Sequence, residues 1–172
     1  MFMRTGGASW PFPSGGCGEA SWTGCRLQRA PYGGLMFDYL EIKALPPGPR
    51  FAATLRFWVN GEDVVQEGVD VGGRGPYAAL MLPAGLPSPL RATGEPRRLE
   101  LGEPECTGGC CGFLTAVVQR FGEIVQWSDW EVPRWSPLAP DPYPPPELHF
   151  DANQYDAEVA RAEADRWWQV YS

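Results

Sequence analysis

One histidine in 172 residues leaves the chain almost without a side chain that exchanges protons near neutral pH. That residue, His149, lies between Leu148 and Phe150, an apolar setting in which a hydrogen-bonded structural role is the common one. No G-x-S-x-G stretch is present, one histidine rules out H-E-x-x-H, and a Cys-His dyad would need long-range proximity that the spacing does not supply. Positive charge is also scarce. The 14 Lys and Arg against 21 Asp and Glu give a net charge of −7, which repels a phosphate backbone and disfavours generic nucleic-acid binding. Arg91, Arg97 and Arg98 form one small basic group, read as a solvated loop.

Long apolar runs are missing too. No window approaches the roughly 18 to 20 consecutive apolar residues of a membrane helix, so no membrane partner is expected. The opening MFMRTGGASWPFPSGG has no continuous apolar stretch and does not read as a secretory signal. The cysteines number five, and an odd count fits a reducing compartment better than a secreted disulfide framework. A cytoplasmic protein is expected.

What is present argues for a packed core. Hydrophobic residues make up 44% and aromatics 13%, with eight tryptophans, enough for one sizeable core in a chain of this length. The 19 prolines and 21 glycines imply short elements separated by many turns. Residues 1–33 are rich in Gly, Pro and Ser and read as a partly ordered extension, leaving 34–172 as a single domain.

Within that domain LMFDYLEIKAL alternates as a strand, with Met36, Leu40 and Ile42 on one face. FAATLRFWVNGEDVVQ contains Asn60-Gly61, the strongest short hairpin signal, and predicts two antiparallel strands. Gly73-Arg-Gly75-Pro-Tyr-Ala78 imitates a dinucleotide-binding fingerprint. Pro76 can open a helix there, but Pro83 ends it within about two turns, too short for the crossover helix of such a site. Arg97 to Leu101 is a further strand, FLTAVVQRFGEIVQWSDW predicts a hairpin turning near Phe121-Gly122, and ELHF adds a last short strand. From Asp151 to Trp168 a helix is expected, with Asn153 as its cap. Tyr155, Val159, Ala162 and Arg166 form one stripe of it, and Ala160, Ala164, Trp167 and Tyr171 a neighbouring one. The fold class is α+β: one antiparallel sheet of about six strands packed by a C-terminal helix.

Three cysteines crowd ECTGGCCG, residues 105–112. Thiolates of Cys106 with Cys110 or Cys111 have acceptable spacing for two zinc ligands from one glycine loop, and His149, Cys17 or Cys25 would have to complete the set. No C-x2-C pair supports that reading. Redox pairing is weaker, because adjacent Cys110 and Cys111 strain any direct disulfide. Small thiols filling a cramped turn are the simplest account, so no cofactor is expected and zinc is the alternative. Trp127, Trp130, Trp135, Trp167 and Trp168 are the candidate binding surface, since aromatic side chains concentrate at interaction hot spots; core and rim are their other roles.

Taken in order, W-V-N-G, G-P-Y-A-A-L-M-L-P, E-C-T-G-G-C-C-G, V-Q-W-S-D-W and F-D-A-N-Q-Y-D-A-E-V resemble a group of uncharacterised bacterial proteins common in high-GC actinobacteria. The resemblance covers about residues 35 to 168 and implies no activity, ligand or catalytic residue. The residues together point to a non-enzymatic protein-interaction module with an unidentified protein partner. A zinc-binding protein using Cys106, Cys110 and Cys111 is the first alternative, and a small-molecule enzyme the second.

Overall fold

A computed structural model describes residues 36–69, 72–106, 111–134 and 143–171, with the side chains of 170 and 171 outside the description. The 1–33 extension lies outside the described residues. Asn60 and Gly61 both take positive φ, 53° and 88°, as a two-residue turn matched to strand twist requires. They join β2 (Thr54–Val59) to β3 (Glu62–Asp63), and β1 (Leu40–Leu45) pairs antiparallel with β2 from Leu40 opposite Val59 to Leu45 opposite Thr54. The strand expected to continue through Val64-Val65-Gln66 is instead α1 (Val64–Val69). Asp63 stops β3 by accepting the Gln66 N–H at 2.9 Å, a helix cap, and the helix then buries Val64, Val65 and Val69 together.

The second sheet runs β4 (Arg97–Gly102), β5 (Leu114–Phe121), β6 (Ile124–Glu131) and β7 (Leu148–Asp151), all antiparallel and in that spatial order. Its central hairpin turns where expected, with Phe121 opposite Ile124 and Gly122 at φ 59°. The expectation of a single sheet of about six strands is therefore corrected to two antiparallel sheets, of three and four strands.

Backbone contacts join the two sheets at two places. At one, Asp38 donates its N–H to His149 O (2.7 Å), while its carboxylate accepts the His149 N–H (2.7 Å) and the Asn60 amide (2.8 Å). At the other, the segment around Arg74 belongs to both sheets. Arg74 and Glu103 exchange both backbone hydrogen bonds at 2.8 Å, Leu55 N–H reaches Pro76 O at 2.8 Å, and Ala78 N–H reaches Ala53 O at 2.9 Å. Gly75 permits this approach. A Cβ there would stand 1.7 Å from the Leu55 carbonyl oxygen, so only glycine fits. The segment then enters α2 (Ala78–Met81), the short helix that Pro83 limits.

α3 (Ala152–Ala164) is capped by Asp151, not Asn153. The Asp151 side chain accepts the N–H groups of Asn153 and Gln154, both at 3.0 Å. The helix stops short of Trp168, and a 3-10 turn, Trp167–Tyr171, follows. Of the first stripe Tyr155, Val159 and Ala162 are buried and Arg166 is half-buried, whereas Ala160, Ala164 and Trp167 of the neighbouring stripe are exposed.

α3 also closes the free edge of β1 with side chains one and two turns apart. The Gln154 amide accepts the Leu40 N–H (3.3 Å) and donates to Leu40 O (2.8 Å). Glu158 accepts the Ile42 N–H (2.5 Å), and Arg161 donates to Ile42 O (2.5 Å) while pairing with Glu158. Three helix residues thus do what a neighbouring strand would do, which blunts an edge otherwise open to pairing.

One hydrophobic core spans both sheets and α3. Trp127 sits in it, edge-on to Phe57 (5.7 Å), Phe150 (5.5 Å) and Tyr155 (6.3 Å). The polar atoms of this cluster are satisfied in series: Trp127 Nε1 donates to the Tyr155 hydroxyl (3.3 Å), which donates to Leu90 O (2.9 Å). Burial pushes the Tyr155 phenol well above its ordinary range.

Candidate functional site

The cysteine loop leaves β4 and enters β5. Cys106 is exposed and Cys111 half-buried, with the Cys111 carbonyl accepting the Arg134 N–H at 2.8 Å. Residues 107–110, including Cys110, lie outside the described residues, as do Cys17 and Cys25. His149 sits elsewhere. It lies on β7, paired with Gln126 of β6, at the opposite edge of the sheet from β4, three strand spacings or about 14 Å across. Gln126 in turn faces Gln119, five residues along β5 from Leu114, so His149 is also displaced by about 17 Å along the strands. The structure does not bring His149 to Cys106 or Cys111, and no cluster of three or more His, Cys, Asp and Glu suited to a metal occurs among the described residues.

The tryptophans do not form one surface. Trp127 and Trp168 are interior side chains, 0% and 2% exposed, and so present no contact area. Trp130 is half-buried, edge-on to Trp127 at 6.1 Å, and its indole N–H holds Pro146 O at 3.1 Å. It pins the returning proline segment to the sheet. Trp167 is exposed, and Trp135 lies outside the described residues. Alternation placed Trp127 on a strand but could not say that its face is the one α3 covers.

A cleft that the sequence did not announce lies where the Arg74 segment meets β4. About 160 Å³ in volume, it is lined by Arg74 to Tyr77, Leu80, Glu100, Gly102, Glu103 and Phe113. Each wall has a local cause. Gly75 lets the segment lie against β2, and Gly102 leaves room for α1 and the Arg74 backbone, since a Cβ there would meet Val69 Cγ1 at 2.8 Å and Arg74 O at 3.4 Å. Pro76 and the start of α2 then present Tyr77 and Leu80, the latter 69% exposed.

The charges in the cleft are mostly committed. Arg74 forms an ion pair with Glu103, which is 6% exposed, and donates to Gly75 O at 3.2 Å. Its guanidinium also lies 4.1 Å from the Tyr77 ring centre and 5.4 Å from that of Phe51. Arg74 Nε is buried without an acceptor among the described residues. Nearby carboxylates each stand beside an arginine: Glu105 has Arg50 at 3.5 Å, while Asp129 and Glu131 share Arg98. Glu100 is the exception, an exposed carboxylate with no hydrogen-bond or ion-pair partner among the described residues.

Chemically the cleft is suited to recognition. Aromatic and aliphatic walls surround an ion pair that is neutral overall, and one unpaired carboxylate stands at its side. The residues that build it, Arg74, Tyr77, Leu80, Glu100, Glu103 and Phe113, were absent from the sequence-derived candidates. The available signal was the fingerprint-like run Gly73 to Ala78, where a Cβ on Gly73 would meet Val69 and one on Gly75 the Leu55 backbone. Compared with protein-family models, curated proteins and solved structures, the chain matches none.

Proposed function

We propose that the chain is a non-enzymatic protein-interaction module of the cytoplasm, and that the cleft at Tyr77, Leu80 and Phe113 takes one apolar side chain of a protein partner. Cleft size is the observation that carries this reading. Small-molecule sites commonly occupy roughly 300–1,000 Å³, and this cleft holds about 160 Å³. A benzene-sized group needs a cavity of about 150 Å³, so a single leucine or phenylalanine side chain is the matching occupant. Covering Leu80 contributes about 1.5–3 kcal/mol, the weight of one interface anchor.

The test is affinity capture from native cells with three baits: the wild-type chain, Leu80→Asp, and Leu86→Asp as a control. Leu86 is 67% exposed, nearly the same as Leu80, but does not line the cleft. One stoichiometric partner retained by Leu86→Asp and lost by Leu80→Asp supports the proposal. Equal retention by both variants, or turnover of a small molecule that Leu80→Asp abolishes, overturns it.

A further inference from the structure

We infer that the partner segment docking in this cleft carries a basic residue next to its apolar anchor, and that Glu100 is the group that reads it. The inference rests on the docking role proposed above and adds the chemistry of the occupant. Near the cleft Glu103 pairs with Arg74 and Glu105 with Arg50, while Asp129 and Glu131 share the single charge of Arg98. Glu100 lines the same cleft, is exposed, and has no cation among the described residues.

An arginine is close at hand for Glu100 and is used otherwise. Arg98, two residues away on the same strand face, donates to Thr115 Oγ1 (2.9 Å) and Asp129 O (2.8 Å) and pairs with the Asp129 carboxylate. Those bonds hold Asp129 in a left-handed conformation, φ 49°, where the β5–β6 register shifts. Arg98 is thereby fixed on the β6 side, and Glu100 keeps its negative charge beside the apolar walls.

The rest of the cleft discriminates in the same direction. Arg74 offers an anion little, because Glu103 already neutralises it inside the protein and an incoming carboxylate would have to displace that partner. The chain as a whole carries −7, which speeds the approach of a basic segment and slows that of an acidic one. Size, apolar lining, the unpaired Glu100 and the overall field together select an aliphatic or aromatic residue flanked by lysine or arginine.

The test titrates the full 15N-labelled chain with three capped five-residue peptides and follows its amide resonances. The first has a central leucine between two lysines, the second has glutamates in place of the lysines, and the third has serine in place of leucine. The lysine-leucine peptide should shift the amides of Tyr77, Leu80, Gly102 and Phe113 and bind about two- to fivefold more tightly than the glutamate-leucine peptide, the range of one exposed ion pair. The preference should shrink with added salt and vanish in Glu100→Gln, while the leucine-dependent shifts persist. If the lysine and glutamate peptides bind equally, the inference about charge fails and the docking role stands. If neither leucine peptide moves these amides, the docking role fails and takes the inference with it.

Discussion

Replacing Gly75 with alanine is the sharpest perturbation of the segment that forms one wall of the cleft. A Cβ at this position would lie 1.7 Å from the Leu55 carbonyl oxygen and 2.9 Å from its carbon, both backbone atoms of a buried strand. No rotamer relieves such a contact, so the segment must move off β2. Two hydrogen bonds go with it, Leu55 N–H to Pro76 O at 2.8 Å and Ala78 N–H to Ala53 O at 2.9 Å. Leaving buried groups unsatisfied costs about 1–3 kcal/mol for each bond lost, or about 2–6 kcal/mol together. That is a large part of the roughly 5–15 kcal/mol that holds a domain folded. In urea unfolding, with a slope near 2 kcal/mol per molar, the midpoint should drop by about 1–3 M. Two controls separate the causes. Gly48→Ala meets nothing within 4 Å and should stay within about 0.5 kcal/mol of wild type. Gly85→Ala has open space but a φ of +73°, so it should show only the left-handed penalty of about 1–2 kcal/mol. A Gly75→Ala midpoint matching that of Gly48→Ala would refute the argument that close approach requires this glycine.

Further predictions follow from the same contacts. Tyr155→Phe removes the hydroxyl between Trp127 Nε1 and Leu90 O and should cost about 1–3 kcal/mol in urea unfolding while the fold persists. Glu158→Ala leaves the Ile42 N–H without its acceptor and Arg161 without its buried partner; light scattering should show concentration-dependent association through the opened β1 edge. Glu163 is held below its ordinary 4.5, chiefly by its hydrogen bond with Arg91, so it adds stability above the unfolded carboxylate pKa and loses it as pH falls through the lowered folded value. The stability gap between wild type and Glu163→Gln should therefore be widest near pH 7 and close at pH values below 4.5. Elemental analysis of chain purified without added metal should find zinc well below one equivalent, whereas a full equivalent would make Cys106, Cys110 and Cys111 a metal loop.

Elements governed by near neighbours were legible in the sequence. Asn60-Gly61 and Phe121-Gly122 turn where local chemistry places them, and the alternation that put Met36, Leu40 and Ile42 on one face matches the burial of Leu40 and Ile42, whereas Met36 is exposed and the strand begins only at Leu40. Errors arose where distant residues decide. Val64-Val65 suits a strand or a buried helix, and the Asp63 cap together with packing beneath β2, β4 and β5 selects the helix. The division into two sheets depends on which strands meet after folding, and the junctions at Asp38 with Phe150 and Arg74 with Glu103 join residues far apart in the chain. The cleft was hidden for the same reason. Its walls come from residues 74–80, 100–103 and 113, and Glu100 stands out only because the fold sets an arginine beside each neighbouring carboxylate, one of them shared by Asp129 and Glu131.

Photo-crosslinking in living cells tests the docking role most directly. A benzophenone amino acid is placed at position 80 in the cleft, or at exposed Leu86 or Tyr39 away from it. One abundant product is expected from position 80, formed on an apolar residue of the partner with lysine or arginine beside it, and little from the other two. A partner captured equally from position 39 or 86, or none from position 80, would contradict it.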